Sequence, residues 1–347
     1  MSDLLTQIKA KVPELQERGG EIERTGRLPQ DIIEWLYDLK LFKLMVPPEF
    51  GGNPVALPEL LCLLEELSAA DGSVGWNVDT GTGAGFFVPS FSENMAAKLF
   101  SPREAVFTGT GFPAGRARRV RGGYIVSGRG LYASGCQYAS MFSAKAVVEE
   151  AGGETVRAFA FYPDEVEVIH DWDAFGLKGT ASHSWQVDNV FVPEERSFIV
   201  GDQRWAVSNP LYRLSFRLMA SVTGASVRLG MARRFFELAQ TLIRPGFEAE
   251  VRSIMNEADQ NRELFYALVE RWWPRVVAEK TLSESEEEAV IRTNKWLIND
   301  TIHAAQRAFP YLRMRALRES EPVNRVYRDL LTSGHAIDLI LGTGASV

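Results

Sequence analysis

The chain has only two cysteines, Cys62 and Cys136, in 347 residues. They have neither the C-x-x-C spacing of a redox motif nor the Cys/His spacing of a zinc site, so a disulfide framework and a metal centre are both excluded as expectations. No apolar run approaches the ~20 residues that a membrane-crossing helix needs. A basic excess is also missing. Lys and Arg total 38 against 45 Asp and Glu, for a net charge of −7, which argues against nucleic acid or an anionic membrane as a partner. No Gly-x-Gly-x-x-Gly follows a candidate strand, so reducing power is not expected from a resident nicotinamide dinucleotide. Met1-Ser-Asp-Leu-Leu has no basic stretch followed by an apolar core, so no signal peptide is expected and the cytoplasm is the expected compartment. Cys62 lies in an apolar helical run and is expected to be a buried thiol.

What is present is an ordinary globular composition, 46% hydrophobic and 24% charged, long enough for two or three packed units. The first hundred residues read as helical. Ile32, Ile33, Leu36 and Leu39 form one apolar face behind Pro29, and Leu60, Leu61, Leu64 and Leu67 form another. Pro47–Pro54 separates the two faces as a cluster of helix breakers. A further helix is expected from about Ser73, carrying Trp76 toward the glycines at 81–85.

From about Ala105 the period changes to that of strands. Arg118–Val120 and Tyr124–Val126 flank Gly122-Gly123 and predict a tight hairpin. Met141–Val148, Val156–Tyr162, Val166–His170 and Ser184–Val192 are further candidates, giving an antiparallel β unit. Arg116, Arg118, Arg119 and Arg121 read as the solvated charges of an edge strand, with a phosphate-binding patch as the alternative. After Pro210, apolar residues recur at three and four over Leu211–Thr241, Glu248–Glu279, Glu284–Leu317 and Val323–Leu341, which predicts a four-helix bundle. The acidic run Ser283–Glu288 reads as an N-cap and first helical turn.

Three motifs carry the chemistry. Val106-Phe-Thr-Gly-Thr-Gly-Phe-Pro113, running on to Tyr132-Ala-Ser-Gly-Cys136, supplies short hydroxyls and close-approaching backbone. Gly176-Leu-Lys-Gly-Thr-Ala-Ser182 does the same. Arg328-Asp-Leu-Leu-Thr-Ser-Gly-His335 places Leu331 and His335 on one helical face. A hydroxyl-rich, glycine-rich surface of this kind suits the polar edge of an isoalloxazine ring.

Together these motifs resemble the acyl-CoA dehydrogenase superfamily, and within it the flavin-dependent monooxygenases that act beside a separate reductase. The resemblance covers nearly the whole chain and implies an α+β multidomain fold. Its units would be an N-terminal helical domain (1–104), a central antiparallel β domain (105–208) and a C-terminal four-helix bundle (209–347). It also implies that Thr108, Thr110, Tyr132, Ser134, Gly135, Thr180 and Ser182 contact the flavin, with Ser134 at N5 and Tyr132 as an aromatic wall. Phe86, Phe87, Phe216 and Met219 are candidate pocket walls. His335 would be the catalytic residue, facing the oxygen-reactive carbon and steadying a hydroperoxyflavin.

The cofactor would be FMN or FAD, reduced by a partner flavin reductase, and the substrate a small aromatic or heteroatom-bearing molecule. A homo-oligomer, dimer or tetramer, is expected. Three departures from the family pattern stand out. Gly130 replaces a tryptophan of the branch. The glycine-rich 81–85 region has no histidine, leaving Asn77, Asp79 and Thr82 as its nearby polar residues. Phe216 occupies a position where dehydrogenases keep a glutamate base. A dehydrogenase-like oxidase or desaturase, and a non-catalytic scaffold of the same fold, therefore stay open as alternatives.

Overall fold

The computed structural model describes residues 2–150 and 153–341, except the side chains of residues 150 and 336–341. Five helices come first: α1 (Asp3–Thr25), α2 (Gln30–Asp38), α3 (Leu57–Ala70), α4 (Gly72–Gly83) and α5 (Glu93–Phe100). Ser2 caps α1 by accepting from the Leu5 amide, and Gly26 ends it in a left-handed conformation at φ +62. In α3, Leu57, Leu60, Leu61, Leu63, Leu64 and Leu67 are all buried. Cys62 occupies the outward position of that helix and is exposed, contrary to the sequence reading. Helical period places it opposite the leucine face. Only Asp71 separates α3 from α4. Its Oδ1 accepts from the Ser73 and Val74 amides at 3.0 and 3.2 Å, which caps the second helix.

The sheet is built from β1 (Phe107–Val120), β2 (Gly123–Ala133), β3 (Met141–Glu150), β4 (Gly153–Phe161), β5 (Glu167–Ile169), β6 (His183–Pro193) and β7 (Ser197–Phe198), in the order β5-β6-β2-β1-β3-β4-β7. It is mixed rather than antiparallel throughout, because β3 crosses to the far side of β1 and runs parallel to it. β1 therefore lies inside the sheet and not at its edge. Two of its arginines have carboxylate partners: Arg116 contacts Glu149 at 2.6 Å, and Arg119 contacts Glu194 at 3.3 Å. The hairpin turn sits one residue earlier than the glycine pair suggests. Val120 pairs with Gly123 across Arg121 and Gly122, and Gly122 takes φ +85. Gly123 belongs to the strand, where a Cβ would meet the Val192 carbonyl oxygen of β6 at 2.2 Å.

Four helices follow: α6 (Phe216–Gln240), α7 (Glu248–Val277), α8 (Glu284–Ala308) and α9 (Pro322–Leu341). Ser283 and Glu286 form a capping box at the start of α8, so the acidic run does what its sequence suggests. α6 is buried on nearly every face and packs against α3, α8 and α9. Among the described residues, no helix is long and apolar enough to cross a membrane.

Candidate functional site

Five of the seven cofactor-binding candidates converge where β1, β2 and the 176–182 loop meet α4. Thr108, Ser134, Thr180 and Ser182 are all buried. Thr108 Oγ1 donates to the Ser134 carbonyl at 2.7 Å, and the Gly135 amide donates to the Thr180 carbonyl at 2.8 Å. The three remaining hydroxyls form one chain. Trp76 Nε1 lies 3.1 Å from Ser134 Oγ, Ser134 Oγ 2.7 Å from Ser182 Oγ, and Ser182 Oγ 2.7 Å from Thr180 Oγ1. Thr180 Oγ1 in turn lies 2.7 Å from the Leu177 carbonyl oxygen.

The two ends fix the direction of every proton in this chain. An indole N–H only donates and a carbonyl only accepts. Thr180 therefore donates to Leu177, Ser182 to Thr180, and Ser134 to Ser182. Ser134 accepts from Trp76 and keeps one lone pair free.

The backbone around this chain is unusually bent. Tyr132, Leu177 and Ala181 take φ values of +62, +53 and +47, although none is glycine. Non-glycine residues in this region are costly, and such residues concentrate at functional sites. Tyr132 is 46% exposed, with its ring edge-on to Trp172 at 6.2 Å, so it is a surface aromatic beside the hydroxyl chain and not a core residue of the hairpin. Thr110 is half-buried just before the β1 irregularity at Thr110/Pro113. Its side chain does not join the hydroxyl chain among the described hydrogen bonds.

His335 is exposed on α9 and forms no hydrogen bond to the Thr/Ser group among the described residues. What connects its turn to the site is Arg228, buried on α6. Arg228 Nε and Nη2 donate to the Ser333 carbonyl at 3.0 and 2.7 Å, and its guanidinium lies 5.2 Å from the centre of the Trp76 ring. Burial lowers Arg228 to about 10, with the Asp79 charge opposing the shift. Asp79, one helical turn beyond Trp76, hydrogen-bonds Thr223. Burial raises it to about 6, against Thr223 and Arg228. Sequence reasoning did not assign Trp76, Thr223 or Arg228. An arginine inside the apolar run Val222–Met231 was the available signal for Arg228.

The other polar candidates divide. Thr82 is fully buried and accepts from the Leu44 amide, a structural role. Asn77 donates to the Gly179 carbonyl at 3.5 Å, while its buried Oδ1 has no partner. His183 Nδ1 accepts from the Trp172 amide at 3.0 Å, and burial together with His170 lowers its pKa, which favours the neutral ring. Phe216 stands against Phe87 at 5.2 Å and Phe86 at 5.7 Å, an aromatic wall with no base. Phe87 and Phe216 are partly accessible, whereas Phe86 and Met219 are buried in the core.

The Gly130 departure has a local explanation. Gly130 pairs with Trp185 of β6, and a Cβ at 130 would meet the Trp185 indole at 2.3 Å. Trp185 fills the space itself, packing against Phe142 and Phe161.

The fold is acyl-CoA dehydrogenase-like, and residues 12–94 match the family described as acyl-CoA dehydrogenase, N-terminal domain. The similar proteins are hydroxylases and monooxygenases, several of them named as oxygenase components or subunits. The pigment production hydroxylase of a Rhodococcus species is 26% identical, covering 96% of this chain and 92% of its own. The FADH2-dependent resorcinol hydroxylase oxygenase component of a Rhizobium species is 32% identical over 51% of this chain and 44% of its own. The crystal structure of the HsaA monooxygenase from Mycobacterium tuberculosis superposes with a TM-score of 0.86 at 23% identity, covering 95% of this chain and 91% of that one.

Proposed function

We propose that the protein is the oxygenase component of a two-component flavin-dependent monooxygenase, working in the cytoplasm. It would take reduced FMN or FAD from a separate flavin reductase and oxidise a small aromatic or heteroatom-bearing substrate. One observation carries this reading: the hydroxyl chain leaves Ser134 as an acceptor only, its own proton being committed to Ser182. A flavin carries hydrogen on N5 only when reduced, so the free lone pair of Ser134 suits the reduced ring and disfavours the oxidised one. The residues present therefore fit a flavin. Thr108, Thr110, Tyr132, Ser134, Gly135, Thr180 and Ser182 would hold it, and the unpartnered Oδ1 of Asn77 adds an acceptor nearby.

When bound, reduced flavin supplies the electrons that activate oxygen. Ser134 orients the ring, while Phe87 and Phe216 exclude water from its surroundings. His335 is the proposed catalytic residue; an imidazole can accept or return a proton. Its turn is held by Arg228 through the Ser333 carbonyl. Leu264 on α7 and Trp296 on α8 are 51% and 59% exposed, and these two packed helices are the proposed face for homo-oligomer assembly.

Stopped-flow absorbance after mixing protein and photoreduced FMN, or FAD, with oxygenated buffer tests the proposal. A transient band that forms faster than free flavin reoxidises is the expected result. Reoxidation indistinguishable from free flavin removes the oxygenase reading.

A second reading is favoured by Asp79. Its carboxyl, raised to about 6 on the Trp76 side of α4, is a base that a substrate-oxidising dehydrogenase or oxidase would need. Reduction of bound flavin by a substrate, with no reductase present, would support that reading.

A further inference from the structure

The Arg-Asp pair of the C-terminal motif grips the 175–182 loop. Asp329 is 4% exposed, and its Oδ1 accepts from the Leu177 amide at 2.5 Å. Arg328 donates to the Phe175 carbonyl at 2.9 Å and to Asn324 Oδ1 at 2.9 Å, and it pairs with Glu23 of α1. The loop lies flat on the helix at this point, since a Cβ on Gly176 would meet the Arg328 carbonyl oxygen at 2.2 Å. The other side of the loop is equally close. A Cβ on Gly179 would meet Ile22 of α1 at 2.2 Å and Ser73 of α4 at 3.0 Å.

Leu177 is where these contacts meet the hydroxyl chain. Its N–H goes to Asp329, while its carbonyl accepts from Trp172 Nε1 at 3.1 Å and from Thr180 Oγ1 at 2.7 Å. That carbonyl is the acceptor end that gives the chain its direction. Leu177 also sits at φ +53, a conformation a leucine keeps only when its surroundings hold it there.

We propose that Asp329, beside the Arg328 that holds Phe175, is a positioning residue that fixes Leu177 and thereby the direction of the Thr180–Ser182–Ser134 hydroxyl chain. A residue on α9 thus sets which hydrogen-bonding face Ser134 presents, without touching the cofactor. The link from this latch to flavin choice rests on the function proposed above; the latch itself does not.

Hydrogen exchange of the segment spanning 173–182, measured on the flavin-free protein, reads the latch directly. Asp329→Ala removes the acceptor and is expected to speed exchange at Leu177 by about 10-fold, as loss of a buried hydrogen bond implies. Asp329→Asn keeps an acceptor oxygen in the same place and is expected to stay within about 2-fold of the native chain. Gly176→Ala leaves Asp329 intact but lifts the loop from α9, and it serves where Asp329→Ala fails to fold.

In parallel, anaerobic titration gives the ratio of affinities for reduced and oxidised FMN. The ratio is expected to fall about 10-fold in Asp329→Ala and to recover in Asp329→Asn. Unchanged exchange at 173–182 in both Asp329→Ala and Gly176→Ala overturns the latch, as does an Asn variant no better than the Ala variant. Loosened exchange with an unchanged ratio overturns the link to the hydroxyl chain. A native protein that binds neither redox form defeats the functional reading, while exchange alone still decides the latch.

Discussion

Single residues decide which hydrogen bonds this site offers. Ser134 keeps a free acceptor only because Ser182 and Thr180 pass its proton on to Leu177. Thr180→Val removes that sink and lets Ser134 turn its proton outward. We expect the preference for reduced over oxidised flavin to drop by roughly 10-fold, read by anaerobic titration of both forms. Ser134→Ala is expected to weaken reduced flavin by a similar factor; equal affinity would detach Ser134 from the cofactor. Gly130 is a second case of one residue setting a limit. Gly130→Trp restores the side chain of the related branch but drives it into the Trp185 indole, so a thermal melt should show marked loss of stability. The Trp185 side of this pairing lies 55 residues downstream, across a strand register that the sequence pattern does not specify.

At the scale of elements, α6 is the common neighbour of α3, α8 and α9, and its ties to them carry charge into the core. Glu65 on α3 is 3% exposed and receives Arg262 of α7 at 2.7 Å, with Tyr266 and Arg233 beside it. Removing the carboxylate in Glu65→Ala takes a shared partner from the part-exposed Arg233 and Arg262 and leaves the Tyr266 hydroxyl without its acceptor. An expected cost of about 1.5–3 kcal/mol follows, measurable by urea unfolding. α9 is tied to α6 by Arg228 and to the 175–182 loop by Arg328 and Asp329. Its His335 lies two residues beyond the carbonyl that Arg228 holds. In His335→Ala, a larger share of reducing equivalents is expected to appear as hydrogen peroxide, several-fold by peroxide assay. An unchanged share would take His335 out of the mechanism.

The molecule as a whole keeps several carboxyls at unusual potentials for protons, and this shapes its response to pH. Asp79 is raised to about 6 and Asp329 to about 7, both chiefly by burial, with the Asp71 charge adding to the second. Acids with raised folded-state values bind protons more tightly folded than unfolded. Their stabilising contribution is complete below pH ~4 and is lost as pH rises through the folded value. The native chain is therefore expected to lose stability relative to Asp79→Asn between pH 4 and 6, with little further change above. Urea unfolding of both across that range checks the sign. An oligomer assembled through α7 and α8 should sediment as a multiple of the protomer, and Trp296→Lys should shift it toward single chains.

Local signals alone determined the helical face periodicities, the strand run from 107 to 193, the capping box at Ser283 and the hydroxyl-glycine motifs, because each depends on neighbours within a few residues. The family resemblance, and not local pattern, singled out Ser134, Thr180 and Ser182 as one group. Tertiary structure decided what depends on distant partners. It placed β1 inside a mixed sheet, turned Cys62 outward and filled the Gly130 space with Trp185. Only the fold brings Trp76 to one end of the hydroxyl chain and the Asp329-held Leu177 to the other. The direction of a hydrogen bond depends on both its ends, and here the ends lie about 100 residues apart in sequence, from Trp76 to Leu177.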